Sequence, residues 1–283
     1  MMMARKRKSP VKEIVVESWA QYGELVTGAD FLSWAFRGQG DATWPLQSAL
    51  SRYLLAYQIN KQAWRGQEER ILRLFRRKSH LLLEHIPDAD DSFQWLALMQ
   101  HHGAPTRLLD LTWSPYVAAF FALERATKDA AVWALFPARI SHLSEQTIRG
   151  GKVIQPLDMG PWVKGNFERY FLPGDIPFVV TGEPQTMNRR LIAQSGTFAM
   201  PGVLDEPLES ILADYPNPDN IIVKLTLRTE LMRDHAMREL YNMNITHATL
   251  FPDLDGLARS LAYELEFHWA FDTRTMTRYS GFE

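Results

Sequence analysis

The sequence contains no cysteine. This absence excludes a disulfide scaffold, cysteine-ligated zinc, iron–sulfur clusters and a thiol nucleophile, and it suits a reducing compartment. Long apolar runs are missing too: the longest, Pro115 to Leu123, has nine residues, whereas a membrane-crossing helix needs about 20. Glycine and proline number 16 each, an ordinary share that excludes collagen-like and low-complexity chains. The sequence therefore predicts a soluble, globular, cytoplasmic protein with no membrane partner.

Familiar catalytic motifs are absent as well. The sequence has no P-loop, no GxGxxG after a strand, no HExxH and no GxSxG elbow. The adjacent His101 and His102 would point about 100° apart on a helix, so they cannot hold one metal from one face. Asp253 and Asp255 fit either magnesium ligands or a turn that caps a helix. No metal is expected.

Length and charge bound the organisation of the chain. Its 283 residues, 46% of them hydrophobic, supply the core of one large domain or two closely packed lobes. The first twelve residues hold five basic groups and no acidic ones, while the rest carries 26 basic against 33 acidic residues. We expect a disordered basic tail over residues 1–12 and a single domain over 13–283. A negatively charged body does not favour nucleic-acid binding.

Apolar periodicity indicates an α+β fold. Helical spacing predicts a helix over 67–85, and Ser92 is a candidate cap of a second helix. Ser114-Pro115 reads as the cap and first residue of another. Thr229 and Asp253 or Asp255 are candidate caps of two later helices. Strand patterns dominate the second half, at 131–136, 178–181, 197–200, 221–227 and 248–251. Residues 141–177 show no steady period and are predicted to form an irregular insertion. The order of elements favours a helix-rich N-terminal half and a mixed, largely antiparallel sheet.

Four clusters of residues are unusually specific. They are Trp34–Gln39 (WAFRGQ), Gln100–Asp110 (QHHGAPTRLLD) with its continuation to Ala122, Arg190–Phe198 (RLIAQSGTF) and Leu250–Ala258 (LFPDLDGLA). Together they resemble the FRG domain, a family named for a Phe/Tyr-Arg-Gly motif, from about Phe31 to Phe267. Leu111 stands where the family usually has tryptophan, at what we expect to be a packing position. The resemblance implies one FRG-type domain but no defined activity, so the chemistry has to come from the residues.

The first cluster supplies one candidate wall of a pocket. Arg37 at the end of a strand can hold a phosphate or carboxylate by two charge-assisted hydrogen bonds. Gly38 would let the ligand approach the backbone closely, and Gln39 would complete the wall. The alternative pairs Arg37 with an internal carboxylate such as Asp41.

The second cluster supplies another wall. Pro105 makes the loop rigid, so that Thr106 and Arg107 could contact phosphate while His101 transfers a proton near neutral pH. In the alternative interpretation, Arg107 and Asp110 form a buried ion pair and His101 caps a helix.

A looser resemblance connects the chain to the ADP-ribosyltransferases. That family often carries an aromatic-Arg-Gly strand, a Ser/Thr-x-Ser before a helix and a later glutamate, which here correspond to Arg37, Thr112-Trp113-Ser114 and Gln194. The glutamate stabilises the oxocarbenium-like centre when nicotinamide leaves NAD, and the uncharged Gln194 does so poorly. Ser114 also fits a simple helix cap. Glu183, Glu239 and Glu264 are other carboxylates that could supply the charge.

The leading hypothesis is an NAD-binding, ADP-ribosyltransferase-like enzyme, an effector in microbial defence or stress. Its predicted catalytic residues are Arg37, His101 and Gln194; its predicted cofactor-binding residues are Arg37, Gly38, Gln39, Thr106, Arg107, Thr112 and Ser114. Trp34, Trp44 and Trp113 lie near the clusters, either as core residues or as platforms for a nucleobase. The alternative is a non-catalytic module that recognises a nucleotide or a partner protein. A metal-dependent phosphoesterase built on Asp253 and Asp255 is the third hypothesis. The sequence does not identify an acceptor, whether protein or nucleic acid.

Overall fold

The computed structural model describes residues 11–148 and 159–279. Within these ranges the strands are β1 (Lys12–Val16), β2 (Ala35–Gln39), β3 (Leu109–Thr112), β4 (Ala130–Leu135), β5 (Val179–Gly182), β6 (Gly196–Pro201) and β7 (Ile222–Leu227). The α-helices are α1 (Trp19–Thr27), α2 (Ala49–Ala56), α3 (Lys61–Ser79), α4 (Ser92–His101), α5 (Pro115–Leu123), α6 (Pro137–Ile148), α7 (Arg189–Ala193), α8 (Leu208–Leu212), α9 (Thr229–Asn242), α10 (His247–Leu250) and α11 (Leu254–Glu266). A π-helical turn spans Phe167–Phe171.

All the described strands belong to one sheet in the order β1-β7-β4-β2-β3-β6-β5. β1 runs parallel to β7, and the other neighbouring strands are antiparallel. The α+β class and the mixed, largely antiparallel sheet predicted from the sequence are therefore confirmed. No helix in the described ranges is long and apolar enough to cross a bilayer.

The sheet has a seam between β2 and β3. In the described structure these strands are in register at one position, Phe36 opposite Thr112. By contrast, β2 is in register with β4 over five positions, and β3 with β6 over four. A four-stranded part and a three-stranded part thus meet at the Phe36–Thr112 pair and diverge beyond it. This divergence opens a cleft between the two parts of the sheet.

Three groups of buried side chains hold the helices on the sheet. On one face, α1, α5 and α9 cover the four-stranded part, with Trp19, Phe120 and Met237 in the core. On the same face, α3, α4 and the π-helical turn cover the three-stranded part. Helices α6 and α8 pack across the opposite face through Ile140 and Ile211. The seam therefore lies between two separately packed groups of helices.

Local capping signals in the sequence identify several helix starts. Ser114 accepts a hydrogen bond from the amide of Val117 (3.3 Å) and Pro115 opens α5, as predicted. Helix α4 does begin at Ser92, but Asp91 is the cap and accepts from the amide of Gln94 (2.9 Å). The helix predicted over 67–85 begins at Lys61 and ends at Ser79.

Three predicted segments differ from the structure. Residues 248–251 are not a strand, because Thr246 and Thr249 form a reciprocal capping box that starts α10. The irregular insertion predicted near 141–177 overlaps α6, which buries Ile140 and Leu143 at helical spacing; residues 149–158 lie outside the described residues. Most of the predicted tail (1–12) also lies outside them, but Lys12 already belongs to β1 and pairs with Val223.

Candidate functional site

A cleft of about 590 Å³ opens at the seam where β2 and β3 diverge. Strand β2, the segment that follows it, α2, β3 and α7 all contribute to its wall. The polar and aromatic residues of this wall are Arg37, Gln39, Trp44, Gln47, Arg52, Asp110, Thr112, Arg190 and Gln194. The cleft has the volume of a small-molecule site, for which about 300–1,000 Å³ is typical.

Arg37 spans the gap between the diverging strands. Its Nη1 donates to the main-chain oxygen of Asp110 (2.7 Å) and lies 3.9 Å from the Asp110 carboxylate. Its Nε is buried without a hydrogen-bond partner, although 20% of the side chain remains exposed. Burial lowers the pKa of Arg37, while Asp110 acts in the opposite direction. The alternative pairing with Asp41 is wrong, because that carboxylate binds Thr43 and Lys128.

Two further arginines in the described wall give the cleft a positive charge. Arg52 is exposed on α2 and donates to the main-chain oxygen of Gln47 (2.6 Å). The guanidinium carbon of Arg190 lies 4.4 Å from the centre of the Phe251 ring, and burial lowers the pKa of Arg190. The opposing charge at the cleft is Asp110, whose side chain is 49% exposed and accepts from the Gln100 amide (3.0 Å). In the sequence, Arg190 opens the third cluster but has no predicted role, and nothing local distinguishes Arg52 from other surface arginines.

The two glutamines of the cleft wall use their amide groups within the fold. Gln39 Oε1 accepts from the Trp133 indole (2.8 Å), and Gln39 Nε2 donates to the main-chain oxygen of Pro45 (3.2 Å). Gln194 Nε2 donates to the main-chain oxygen of Leu250 (3.1 Å). Both residues line the cleft, and these bonds fix their orientation there.

Gly38 serves packing against α5. A Cβ atom at this position would lie 2.0 Å from the main-chain oxygen of Ala118 and 2.6 Å from the amide nitrogen of Ala122. The glycine is therefore required for helix α5 to approach β2. Gly38 also lines the cleft, so the approach of a ligand to its backbone stays a prediction beside this packing role.

His101 lies beside the cleft rather than in its wall. It borders a cavity of about 20 Å³ that shares Asp110, Arg190 and Gln194 with the cleft. Its Nδ1 is buried without a hydrogen-bond partner, so this atom does not cap a helix. Burial, together with the neighbouring His102 and Arg190, lowers the pKa of His101 below its ordinary value of 6.5. His101 is therefore mainly neutral at neutral pH.

Arg107 and Thr106 lie outside the cleft. Arg107 is 1% exposed; its guanidinium pairs with both carboxylate oxygens of Glu68 and donates to the main-chain oxygen of Pro201 (3.0 Å). The Thr106 hydroxyl donates to Gln100 Oε1 (2.7 Å). The prediction that these side chains bind a ligand is therefore wrong, as is the alternative Arg107–Asp110 pair.

The Thr-x-Ser segment is a structural turn. The Thr112 hydroxyl donates to the main-chain oxygen of Gln194 (2.6 Å) and accepts from the amide of Ser114 (3.0 Å). Thr112 lines the cleft with its hydroxyl thus engaged, while Ser114 caps α5 and is outside the cleft lining. The predicted cofactor contact of Ser114 is replaced by the cap.

The three tryptophans near the clusters have different environments. Trp44 lines the cleft and is 56% exposed. Trp34 is buried and stacks on Phe136 at 5.5 Å between ring centres, which makes it a core residue. Trp113 donates to the Glu183 carboxylate (2.7 Å). Only Trp44, among these three, is placed to contact a ligand in the cleft.

The acidic candidates from the sequence lie elsewhere. Glu183, Glu239 and Glu264 are outside the cleft lining. Asp253 caps α11 by accepting a hydrogen bond from the amide of Gly256 (2.8 Å). This contact agrees with the interpretation of Asp253 as part of a turn that caps a helix. Among the described residues, no group of three or more histidines and carboxylates is arranged to hold a metal ion.

A second cavity, of about 100 Å³, lies between α5, α9, α10 and α11. Its partly buried polar groups are paired: Arg233 forms an ion pair with Glu266, and His247 contacts Glu124. It is also far smaller than the cleft. The cleft at the seam is therefore the better candidate site.

Comparison with protein families finds that residues 32–131 match the family model of the FRG domain. Comparison with curated proteins and with solved structures finds no match. The matched segment includes Arg37, Arg52 and Asp110 but ends before Arg190 and Gln194. It is shorter than the range over which the sequence clusters suggested the likeness, and one wall of the cleft comes from outside it.

Proposed function

The chain carries an FRG domain, and we propose that its cleft binds a phosphate-bearing ligand of the nucleotide type. The observation that carries this proposal is the group of guanidiniums of Arg37, Arg52 and Arg190 around a cleft whose described opposing charge is Asp110. A pocket with a positive excess and a small-molecule volume favours an anion of moderate size.

The state of Arg37 supports an anionic ligand. A buried donor without a partner is unfavourable, and most such donors in folded proteins are paired with protein or water. A phosphate placed between Arg37 and Arg52 would accept charge-assisted hydrogen bonds, which are about twice as strong as neutral ones. Arg190 on the opposite wall would extend the same positive surface to a second phosphate.

Trp44 supports a nucleotide rather than phosphate alone. Its exposed indole beside the arginines offers a flat surface on which a base can stack. NAD, which carries two phosphates and two planar rings, remains the ligand of the leading hypothesis. The cytoplasm remains the proposed location, because a chain without cysteine suits a reducing compartment.

Asp110 favours a second candidate function, cleavage of the glycosidic bond of the bound nucleotide. Gln194 has no charge to stabilise an oxocarbenium-like centre, but the Asp110 carboxylate lines the same cleft. In this reaction the bond between the ribose and nicotinamide breaks, and nicotinamide leaves with the electron pair. The acceptor oxygen that replaces it loses its proton, for which neutral His101 is the candidate acceptor.

Titration calorimetry with NAD, ADP-ribose, AMP and inorganic phosphate tests the proposal. We expect binding of the nucleotides, and about tenfold weaker binding by Arg52→Ala, which removes a charge-assisted contact. Arg65→Ala is the matched control, since Arg65 is also an exposed helix arginine and pairs with Glu69 away from the cleft. If none of these ligands binds, or if both variants weaken binding equally, the proposal is wrong.

Nicotinamide release separates the two functions. Release by the native chain that Asp110→Asn abolishes, with NAD affinity unchanged, would support glycosidic cleavage. Binding of NAD without release of nicotinamide would instead support the alternative function, a non-catalytic module that recognises a nucleotide.

A further inference from the structure

Helix α11 presents a row of leucines to solvent. Leu254, Leu257, Leu261 and Leu265 are 78%, 52%, 59% and 83% exposed. Their spacing of three, four and four residues places them along one side of the helix. We call them the leucine stripe.

The opposite side of α11 is what holds the helix to the protein. Tyr263 stacks on Tyr241, with 4.1 Å between ring centres, and also on Phe267 at 4.6 Å. The helix start packs so closely that a Cβ on Gly256 would lie 1.9 Å from the main-chain oxygen of Phe251. The leucine stripe therefore contributes little to the described core, and its exposure calls for another explanation.

The stripe is large enough for an interface between two copies of the chain. At the exposed fractions above, its four leucines present roughly 500 Å², so two copies would bury roughly 1,000 Å² in all, the area that a biological interface should reach. Tyr241 borders the stripe where its hydroxyl donates to Glu264 (3.1 Å), and 41% of this residue is exposed.

We propose that the leucine stripe is the interface of a homodimer in which two α11 helices pack antiparallel across a two-fold axis. A two-fold interface brings the same surface of both copies together, so the surface must complement itself. Antiparallel pairing places Leu254 opposite Leu265 of the second copy and Leu257 opposite Leu261 of the second copy. Each leucine thus meets a leucine.

Two further features fit this arrangement. Ala258, one helical turn from Leu254 and from Leu261, is also exposed, and a small side chain there allows the two helices to approach closely. Antiparallel packing also places the positive start of each helix beside the negative end of the other.

The charges beside the stripe argue against a lipid surface. Helices that lie on membranes carry lysine and arginine at the edges of the apolar side, where they meet anionic lipids. On α11, Asp255 and Glu264 are exposed, whereas the exposed Arg259 lines the second cavity. A second copy of the chain therefore fits this surface better than a membrane does.

The first test is the mass of the full chain in solution, measured by sedimentation equilibrium from about 1 to about 200 µM, because dimerisation depends on concentration. We expect the mass to rise from that of a monomer of 32.6 kDa to twice that value. Leu257→Asp should raise the dimer dissociation constant at least about tenfold, because it places a charge at the centre of the interface.

Leu81→Asp is the matched control, since Leu81 is 80% exposed in the segment after α3. It should leave the dimer unchanged, and both variants should keep the native circular dichroism spectrum. A native chain that stays monomeric throughout, or equal loss of the dimer in both variants, would overturn the proposal.

The second test uses the absence of cysteine in the native chain. Single variants Leu254→Cys and Ala258→Cys are oxidised, and disulfide-linked dimers are counted on non-reducing gels. In an antiparallel dimer, Ala258→Cys near the two-fold axis should cross-link with itself. Leu254→Cys should cross-link only when it is mixed with Leu265→Cys. Efficient cross-linking of Leu254→Cys with itself would mean parallel helices and would contradict the proposed arrangement.

Discussion

Arg37 and Arg107 show two ways in which one fold holds a buried guanidinium. Arg107 is 1% exposed, and its donors reach a carboxylate and a main-chain oxygen. Arg37 keeps 20% of its side chain exposed, binds a main-chain oxygen and has a buried Nε without a partner. The first arginine is neutralised by a carboxylate at hydrogen-bond distance, whereas the second lies 3.9 Å from the Asp110 carboxylate and is only partly neutralised.

This difference separates residues that hold the fold from residues that prepare a site. Removing one partner of a buried ion pair leaves an uncompensated charge, so such a pair is sensitive to mutation even when it adds little net stability. A cation left partly unpaired beside other cations lowers stability but is ready to receive an anion. Substitutions at the two arginines should therefore affect different measurements.

Arg107→Ala is expected to give the largest effect. It leaves Glu68 buried without its partner, and breaking a buried pair costs about 3–5 kcal/mol. Urea unfolding followed by tryptophan fluorescence measures the loss. The matched control is Arg65→Ala, which breaks an exposed pair with Glu69 and should cost no more than about 1 kcal/mol. If both variants lose a similar free energy of unfolding, the buried Arg107–Glu68 pair is no more important to the fold than an exposed pair.

Gly38→Ala tests whether the motif glycine serves packing or the ligand. The added Cβ would overlap main-chain atoms of α5, so we expect a loss of about 1–3 kcal/mol in the free energy of unfolding. Gly40→Ala is the control, because the nearest atom to its added Cβ is 3.8 Å away. If Gly38→Ala weakens nucleotide binding while stability stays unchanged, the glycine belongs to the site instead.

Features of the fold that depend on residues close together in the chain can be predicted from the sequence more readily than features that depend on distant residues. The caps of α5 and α11 use residues next to the helices they start, so Ser114 and Asp253 could be identified by inspection. The strand predicted over 248–251 is wrong because its four residues, Ala-Thr-Leu-Phe, are too few to distinguish a strand from a helical turn.

The candidate site was harder to predict from the sequence, because it depends on contacts between distant segments. Glu68 is 39 residues from Arg107, and nothing near either residue identifies the pair. Arg190 and Arg37 meet one cleft only because β2 and β3 diverge after Phe36 and Thr112, a property of strand pairing that no single segment encodes. The sequence therefore predicted the arginine of the motif, but not the arginines that accompany it.

Arg37→Ala provides the counterpart to Arg107→Ala. The lost bond to Asp110 should cost about 1 kcal/mol of stability or less, whereas affinity for ADP-ribose should fall at least about tenfold. Calorimetric binding and urea unfolding of the same preparation measure both effects. Arg37→Lys should bind more weakly than the native chain, since lysine cannot bind a phosphate bidentately. A variant that unfolds easily and yet binds normally would place Arg37 with the structural arginines.

His101 gives the smallest but most local measure of the contrast, because burial, the neighbouring His102 and the charge of Arg190 together lower its pKa. The pKa is below 6.5 in the folded chain, so the unfolded chain binds this proton more readily. The contribution of neutral His101 to stability is therefore complete above pH 6.5 and is lost as the pH falls below that value. His101→Gln should reduce the fall in Tm between about pH 7 and about pH 5.5.

Ligand binding should shift the same titration in a defined direction. An anion that pairs with Arg190 reduces the positive potential at His101, so saturating ADP-ribose should raise the pKa of that imidazole. Proton NMR of the His101 ring, assigned by comparison with His101→Gln, measures the midpoint with and without ligand. Arg107 is neutralised by Glu68, so the midpoint reports on the cleft rather than on the buried pair. If ADP-ribose binds and the midpoint of the His101 titration stays constant or falls, the bound phosphates are not at Arg190. In that case the part of the cleft outside residues 32–131, the segment that matches the FRG family model, does not contact them.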